Sequence, residues 1–303
     1  GKIEHNSNLA HFYAHFVRHT IDTSLEGMTI VYDGANGAAS SVGPEILAGL
    51  GAKVININVN PDGLNINHHC GSTHIEGLQV AVQQHNADLG IANDGDADRC
   101  LLVDEKGQVL DGDQIMLLCA LKLKEEGKLK DDTVVGTVMS NIGFHKAAQE
   151  LGMKTFATAV GDRYVLEYMR EHNLSVGGEQ SGHVIFLDYN TTGDGMLTAV
   201  QVAALMKEKN QPLSELAGIM TKYPQVLINV RVATKTGWED NDIIKAAIVT
   251  AEGELGVEGR VLVRASGTEP LIRVMAEGPN QEALQALCQE IADIIGREQG
   301  LAE

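Results

Sequence analysis

Two stretches of the sequence decide the fold: TIVYDGANG at residues 29–37 and TVVGTVMSN at residues 133–141. In each, an apolar run of strand length enters a turn of small and polar residues. A helical stretch follows each turn and closes at a glycine, Gly51 in the first case and Gly152 in the second. This order is typical of a β-α-β unit with a parallel sheet, so the same unit occurs twice in the chain.

The second halves of the two units also align. Residues 88–94 (DLGIAND) match residues 173–179 (NLSVGGE), and each run leads to a polar loop, another strand and a Gly/Asp turn that opens a helix. The alignment pairs three loop positions: Asp94 with Glu179, Asp96 with Ser181, and Asp98 with His183. Two copies of one fold therefore present different chemistry at the same corner.

The plan changes from Tyr223 onward. An apolar run at 226–232, a helix from about Asp242, two strands around 264–273 and an amphipathic helix from Gln281 predict a β-α-β-β-α unit. We therefore predict two related mixed-sheet α/β domains and a smaller α+β domain. Their predicted bounds are residues 1–111, 112–222 and 223–303.

The first twenty residues are rich in histidine and aromatic residues. The helical spacing of Phe12, Phe16 and His19 predicts an opening helix that docks an apolar face. We prefer this interpretation to a metal role for the histidines of the segment, which are His5, His11, His15 and His19.

Charge and composition exclude several classes of protein. The 303 residues contain 23 Lys and Arg against 41 Asp and Glu, and a net charge of −18 repels nucleic acids and anionic membranes. No apolar stretch approaches the roughly 20 residues of a membrane helix, and the opening residues lack the apolar core of a signal peptide. The four cysteines form no C-x-x-C pair, which argues against a zinc ribbon or a disulfide framework. We expect a cytoplasmic protein with no nucleic-acid or membrane partner.

The acidic loop, DGDADR at residues 94–99, places Asp94, Asp96 and Asp98 at alternate positions. A tight turn lets such carboxylates converge on one hard cation. An EF-hand is excluded, because Arg99 replaces its turn glycine and the flanking runs predict strands. We therefore predict Mg²⁺ with open positions for phosphate oxygens. The alternative is a solvated acidic turn, in which the three charges repel one another.

The polar loop, GEQSGH at residues 178–183, combines glycines that permit close approach with side chains suited to sugar hydroxyls. Glu179, Ser181 and His183 supply the donors and acceptors, and a plain hairpin turn is the alternative. Upstream, Asp162 and Arg163 follow a glycine turn, where an aspartate that caps a helix needs no further function.

The arginine loop, RASGTEPLIR at residues 264–273, suits a phosphate dianion. Guanidinium groups bind phosphate in a bidentate manner, and hydroxyls and turn amides add donors. The binding candidates are Arg264, Ser266, Gly267, Thr268 and Arg273. The alternative is a hairpin whose arginines pair with Glu269 and Glu277.

The three loops in this order, D-G-D-x-D-R, G-E-x-S-G-H and R-x-S-G-T-E-P-x-x-R, resemble those of the α-D-phosphohexomutase superfamily. The resemblance covers the second to fourth domains of that family. Residues 161–165 (GDRYV), residues 61–67 (PDGLNIN) and His183 look most like the members that act on glucosamine phosphates. The family's first domain, with its Ser-His-Asn-Pro loop and phosphorylated serine, has no counterpart here. Because the sequence starts with Gly1, we expect that something precedes this segment or that a tag was removed.

The resemblance implies a mutase that converts glucosamine 6-phosphate to glucosamine 1-phosphate through a phosphoserine and a bisphosphate intermediate. The implied roles are Mg²⁺ binding by the acidic loop, catalysis beside the transferring phosphate by Arg99, and substrate binding by the polar and arginine loops together with Asp162 and Arg163. Hexosamine phosphate and the family's first domain are the implied partners. Without that domain we expect weak ligand binding and no turnover.

Two departures from the family pattern affect the shape of the acidic loop. Asn93 stands where an apolar residue is usual, and Ala97 replaces the usual glycine. The alternatives that stay open are a phosphomannomutase or phosphoglucomutase, a non-catalytic module that binds sugar phosphates, and an α/β protein whose loops bind nothing. The sequence also leaves open whether two copies form a homodimer.

Overall fold

The computed structural model describes residues 1–2, 6, 8–267 and 269–300. The chain separates into two compact units. Gly1–Ser140 and Phe144–Met220 form the first unit, and Asn141–Gly143 and Thr221–Glu303 form the second. Among the described residues, no helix combines the length and apolarity that a membrane span requires.

The first sheet has five strands in the order β2-β1-β3-β4-β5. Strand β1 is parallel to β2 and β3, whereas β4 is antiparallel to β3 and to β5. Every position of β3 is buried, as expected where helices cover both faces of a sheet. The strands are β1 Thr29–Asp33, β2 Lys53–Ile57, β3 Leu89–Asn93, β4 Cys100–Asp104 and β5 Val109–Leu110. The helices that precede or interrupt them are α1 Asn8–Arg18, α2 Val42–Gly49 and α3 Glu76–His85.

The second sheet repeats this plan with four strands in the order β7-β6-β8-β9. Strand β6 is parallel to β7 and β8, and β9 is antiparallel to β8. The predicted duplication is therefore confirmed. The strands are β6 Thr133–Thr137, β7 Lys154–Thr158, β8 Val176–Gly178 and β9 Val184–Phe186. The helices of this stretch are α4 Gly112–Glu125, α5 Ile142–Glu150, α6 Asp162–Glu171, α7 Gly195–Lys209 and α8 Leu213–Leu216.

Helices α4 and α7 are exchanged between the two sheets. Helix α4 follows β5 of the first sheet but packs mainly against β6 and β8, with further contacts to β4 and β5. Helix α7 follows β9 of the second sheet but packs against β3 and β4. Both begin at the predicted Gly/Asp turns, where Asp111 accepts a hydrogen bond from Gln114 N–H and Asp194 accepts one from Leu197 N–H. The helices also pack on each other, so the two sheets share one hydrophobic core.

The opening helix is confirmed, but its predicted apolar contact face is wrong. Phe12 is 67% exposed and Phe16 is 40% exposed, whereas the small side chains of Ala14 and Val17 are buried. Close packing of α1 on α2 and α7 favours small residues at the contact, which leaves the aromatic side chains outside. His5 lies outside the described residues.

The second unit has its own sheet and core. Strand β12 lies between β10 and β11 and is antiparallel to both. The predicted β-α-β-β-α order is confirmed, with β10 Gln225–Arg231, α9 Asp242–Leu255, β11 Arg260–Ala265, β12 Leu271–Glu277 and α10 Gln281–Gln299. Helices α9 and α10 cover one face of the sheet, and Asn241 and Asn280 cap their first turns.

Candidate functional site

The acidic loop connects β3 to β4, so strands flank it and the EF-hand remains excluded. Each aspartate of the triad offers a carboxylate oxygen, and these oxygens all lie within 4.8 Å of one another. Asp94 is buried, Asp98 is half-buried and Asp96 is exposed. The cluster is therefore open to solvent on one side, as a site that shares its cation with a ligand requires.

The charge of the triad is only partly balanced. Asp94 Oδ1 accepts a hydrogen bond from Arg99 N–H (3.2 Å), and Arg99 Nε lies 3.6 Å from Asp94 Oδ2. Asp98 Oδ1 is buried without a hydrogen bond from any described residue, although Arg99 Nε is 3.9 Å away. Burial, followed by the neighbouring charge of Asp98, raises the pKa of Asp94 to about 6. Three crowded carboxylates with one arginine fit a hard divalent cation such as Mg²⁺.

The turn that follows β1 contacts the backbone of the acidic loop. Ala38 N–H donates to Gly95 O (2.8 Å), and a β-carbon at Gly37 would lie 2.3 Å from the same oxygen. Gly37 is therefore required by the close approach of two backbones. The β1 turn thus holds the centre of the acidic loop.

The polar loop connects β8 to β9, the corresponding strands of the second sheet. Glu179 Oε1 accepts a hydrogen bond from Gly161 N–H (3.0 Å), which brings the turn before α6 to this loop. Ser181 is exposed, and so are Asp162 and Arg163. The structure therefore brings together the predicted sugar-binding residues Glu179 and Ser181 with the 161–163 turn.

The interpretation of Asp162 as a helix cap is wrong. The N-cap residue of α6 is Gly161, with φ of 130°, and no side chain caps this helix. Arg163 pairs with Glu167 one turn along the same helix (2.7 Å), and it is 80% exposed. Both residues remain accessible to a ligand, and their contact with substrate stays a prediction.

His183 lies between the polar and acidic loops. The ring is 3% exposed, Gly193 N–H donates to its Nε2 (3.2 Å), and Asp98 Oδ2 is 3.5 Å from the same nitrogen. Beside it, Cys100 N–H donates to Gly182 O (2.9 Å) and a β-bridge joins Arg99 to His183. The two loops thus form one continuous surface, and a direct contact of His183 with sugar stays a prediction.

A cavity of about 490 Å³ adjoins the triad. Tyr13, Val42, Asp96, Asp98 and Gly193 are among its lining residues. The hydroxyl of Tyr13 donates to Asp194 Oδ1 (2.6 Å), and burial raises the pKa of Tyr13. Sequence reasoning missed Tyr13, because nothing in the pattern of α1 distinguishes a tyrosine that faces a site.

In the second unit, the arginine loop joins β11 to β12 and places two guanidinium groups on neighbouring strands. Arg264 is directly opposite Arg273 in the antiparallel register. Burial, followed by the charge of Arg273, lowers the pKa of Arg264. Two like charges in this position are unfavourable unless an anion lies between them. The pair therefore fits a phosphate.

The alternative of internally paired arginines is only half right. Arg273 Nη2 lies 3.4 Å from Glu269 Oε2, but Glu277 pairs with Arg260 (2.8 Å). Arg264 has no carboxylate partner among the described residues, and Arg273 Nε is buried without a hydrogen-bond acceptor among them. Ser266 is buried and Gly267 is exposed at the turn, whereas Thr268 lies outside the described residues.

Lys235 is a residue of this loop region that the sequence did not reveal. Its Nζ donates to Ser266 O (2.7 Å), Gly267 O (3.4 Å) and Glu269 O (3.2 Å). Because the C=O and N–H of one trans peptide point in opposite directions, Ser266 O faces Lys235 and Gly267 N–H faces away from it. The pairing of β10 with β12 places this lysine beside the loop, which the local sequence does not indicate.

Three family models match the chain in order. They are the phosphoglucomutase/phosphomannomutase alpha/beta/alpha domain II over residues 10–107, alpha/beta/alpha domain III over residues 111–223, and C-terminal domain over residues 227–294. The chain belongs to the phosphoglucomutase/phosphomannomutase family. The three predicted loops fall one in each of these family domains.

Comparison with an individual relative shows similarity over nearly the whole chain. The phosphoglucosamine mutase of Geobacillus thermodenitrificans is 54% identical over 289 residues, which cover 95% of this chain and 64% of the relative. The chain thus spans less than two thirds of that relative.

Solved structures share the fold of the chain. A family protein from Burkholderia thailandensis superposes with a TM-score of 0.80 at 20% identity, covering 97% of this chain and 66% of that one. The N-acetylphosphoglucosamine mutase of Aspergillus fumigatus, solved with GlcNAc-6P and magnesium, gives a TM-score of 0.74 at 23% identity over 93% of this chain and 68% of its own.

Proposed function

We propose that the chain is the metal-, sugar- and phosphate-binding part of a mutase that interconverts glucosamine 6-phosphate and glucosamine 1-phosphate. The observation that carries the proposal is the acidic loop, with three carboxylates close enough for one cation and an arginine beside them. The substrate is inferred from the similarity to a phosphoglucosamine mutase that is 54% identical to the chain. In this proposal the reacting serine belongs to a domain outside the 303 residues.

Asp94, Asp96 and Asp98 hold Mg²⁺, which supplies positive charge against the phosphoryl group in transfer. Arg99 adds a second cation beside the triad, since its Nε lies within 4 Å of both Asp94 and Asp98. Arg99 is thus the proposed catalytic residue of this chain, and it stabilises charge without moving a proton.

The polar loop binds the sugar. Glu179 accepts hydrogen bonds, and its acceptor Oε1 is already oriented by Gly161 N–H. Ser181 is exposed and offers both a donor and an acceptor to hydroxyls. Asp162 and Arg163 are exposed and extend this surface, whereas His183 is buried beneath it.

The arginine loop binds the phosphate that does not react. Arg264 and Arg273 supply the two guanidinium groups, and Ser266, Gly267 and Thr268 supply hydroxyl and amide donors. Such a fixed anchor orients the sugar for transfer at its other end, which can contribute several kcal/mol to lowering the barrier.

The metal site is tested by calorimetry of the full chain with Mn²⁺ and Mg²⁺. We expect Asp96→Asn to weaken Mn²⁺ binding about 100-fold, because it removes the negative charge of an exposed ligand without disturbing the core. Ser181→Ala, at the equivalent position of the polar loop, is the matched control and should change the dissociation constant less than twofold. Equal affinity of the parent chain and Asp96→Asn would remove the metal site from the proposal.

The substrate is tested with glucosamine, glucose and mannose 6-phosphates. We expect the chain to bind glucosamine 6-phosphate most tightly in the presence of Mg²⁺ and to produce no 1-phosphate by itself. A longer product of the same gene, with a domain that carries a phosphoserine, should turn over glucosamine 6-phosphate fastest. A preference for mannose or glucose phosphate favours the sister mutases, and binding without turnover by the longer product favours a sugar-phosphate sensor.

A further inference from the structure

The two ends of the acidic loop are joined by one buried side chain. Asn93, the last residue of β3, is fully buried, and its Nδ2 donates to Arg99 O (2.8 Å). Arg99 N–H donates in turn to Asp94 Oδ1 (3.2 Å). The backbone of Arg99 is therefore held on both sides, once by the residue before the loop and once by its first carboxylate.

This side-chain contact continues the link between β3 and β4 by one residue beyond their last backbone pair. Asn93 is paired in register with Cys100, but Cys100 N–H donates to Gly182 O in the polar loop. Successive residues of an antiparallel strand bond in opposite directions, so Cys100 N–H faces the polar loop while the backbone of Arg99 faces the end of β3. The Asn93 amide therefore joins the end of β3 to the far end of the loop, one residue beyond the last pair of the ladder.

A second buried residue fixes the orientation of the amide. Arg99 O can only accept, so Nδ2 must face it and Oδ1 must face the other way. Oδ1 lies 3.0 Å from the hydroxyl of Tyr32, which is fully buried in β1. Because an amide oxygen also only accepts, the tyrosine must donate. Ala39 O, 3.2 Å from the same hydroxyl, is a more distant acceptor that shares its single proton.

Glycines on two helices leave room for this pair. A β-carbon at Gly195, the first residue of α7, would lie 2.2 Å from Asn93 Nδ2 and 2.3 Å from Arg99 O. A β-carbon at Gly43 of α2 would lie 2.5 Å from the hydroxyl oxygen of Tyr32. Gly195 N–H also donates to Ala97 O (3.0 Å), so the exchanged helix closes over the hydrogen-bonded pair.

We propose that Asn93 and Tyr32 are positioning residues that set the shape of the acidic loop and thereby its affinity for a divalent cation. The inference rests on the metal site proposed above. A loop that is free at its ends would let its mutually repelling carboxylates separate, and the cation would have to gather them again on binding. Tying the ends holds the three oxygens together before the cation arrives.

The test measures Mn²⁺ affinity by electron paramagnetic resonance, well below the unfolding temperature of every variant. Asn93→Leu, similar in size, leaves Arg99 O without its donor and should weaken Mn²⁺ binding between about 10- and 100-fold, the usual effect of residues that support metal ligands. Tyr32→Phe removes one oxygen and should weaken it about 3- to 10-fold. The double variant should bind no more weakly than Asn93→Leu, because both changes disable one unit.

Ser175→Ala is the matched control. Ser175 is also buried, and its hydroxyl donates to Lys128 O and accepts from Lys130 N–H, away from the acidic loop. It should lower the unfolding temperature and leave the Mn²⁺ dissociation constant within twofold of the parent.

The outcomes separate this inference from the proposed function. Parent-like Mn²⁺ affinity in Tyr32→Phe and Asn93→Leu, with only their unfolding temperatures lowered, would overturn the positioning role and leave the metal site in place. A parent chain that binds no Mn²⁺ would overturn both. If Asn93→Leu does not fold, Tyr32→Phe decides the question, since it deletes a single hydroxyl.

Discussion

The acidic loop and the polar loop occupy the same position in two sheets of the same strand order, but different groups fix their shapes. Side chains tie the acidic loop, through the Asn93 amide and the Asp94 carboxylate that bind the backbone of Arg99. Both loops share one backbone bond, Ala97 N–H to Asp94 O (3.1 Å) and Gly182 N–H to Glu179 O (3.0 Å). The ends of the polar loop are joined by a second backbone bond, from Glu179 N–H to His183 O (2.9 Å). No side chain is needed to join the ends of the second loop, and Ser181 remains exposed to a ligand.

The equivalent residues Ala97 and Gly182 share a backbone conformation but differ in the space around them. Both have a left-handed backbone, with φ of 63° and 96°. A β-carbon is accommodated at Ala97, whereas at Gly182 it would lie 2.4 Å from Cys100 O. Topology decides where each loop lies, and the approach of the other domain decides which residue the left-handed position accepts.

The largest effect is expected from Gly182→Ala, at the point where the polar loop approaches the backbone of Cys100. We expect a loss of about 3 kcal/mol in the free energy of unfolding, because the methyl group meets a backbone oxygen and the left-handed conformation adds strain. Urea denaturation measures the loss. Gly218→Ala is the control, since open space surrounds that position, and it should change stability by less than about 0.5 kcal/mol. Equal stability of the two variants would contradict the close approach of the loops.

The arginine loop differs from the acidic loop in that its facing side chains are positively charged. Arg264→Ala should weaken binding of glucosamine 6-phosphate more than tenfold, because it removes one of two facing guanidinium groups. Unfolding should be nearly unchanged, since the substitution also removes repulsion from Arg273. Arg297→Ala, at an exposed position of α10, is the control for the loss of one positive charge. Unchanged affinity in Arg264→Ala would refute the phosphate anchor.

Much of this arrangement could be predicted from the sequence, because it is encoded locally. The two strand-turn-helix stretches, the β-α-β-β-α unit and the alternate aspartates of the acidic loop each lie within a short segment. The turns Asp111-Gly112 and Asp194-Gly195 also marked the starts of α4 and α7.

The remainder depends on contacts between distant residues. The hydrophobic pattern of α4 or α7 indicates that the helix is buried but not against which sheet, so the helix exchange was not predicted. Tyr32 and Asn93 meet across 61 positions of the chain, and Lys235 reaches a loop more than 30 positions away. The departure of Asn93 from the family pattern was visible in the sequence, but its partners were not.

Lowering the pH should weaken metal binding by the acidic loop and increase the stability of the metal-free protein. The pKa of Asp94 is raised to about 6 in the fold from an unfolded value of about 3.9. Between about pH 4 and 6 the folded state therefore binds more protons, so the metal-free chain loses stability as the pH rises through this window. Protons compete with the cation, and Mn²⁺ affinity should fall about tenfold from pH 7 to pH 5.

Calorimetry with Mn²⁺ at both pH values, together with thermal unfolding of the metal-free chain, measures these two opposed effects. Asp94→Asn cannot titrate at this position, so its metal-free unfolding temperature should lose the part of the pH dependence that Asp94 contributes. Mn²⁺ affinity of the parent chain that is equal at pH 5 and pH 7 would exclude Asp94 as a ligand with a raised pKa.

The smallest effect is expected from Ala97→Gly, which makes the acidic loop resemble the polar loop at their shared left-handed position. Relief of left-handed strain, about 1 kcal/mol, is offset by the lost methyl contact and by the greater freedom of glycine in the unfolded chain. Stability should therefore change by less than about 0.5 kcal/mol, and Mn²⁺ affinity by less than twofold. The same change in a right-handed helix, Ala246→Gly in α9, should cost about 1 kcal/mol. A tenfold loss of Mn²⁺ affinity in Ala97→Gly would show that the alanine itself shapes the loop. The hydrogen bond from Asn93 to Arg99 O would then not be sufficient to hold the three carboxylates together.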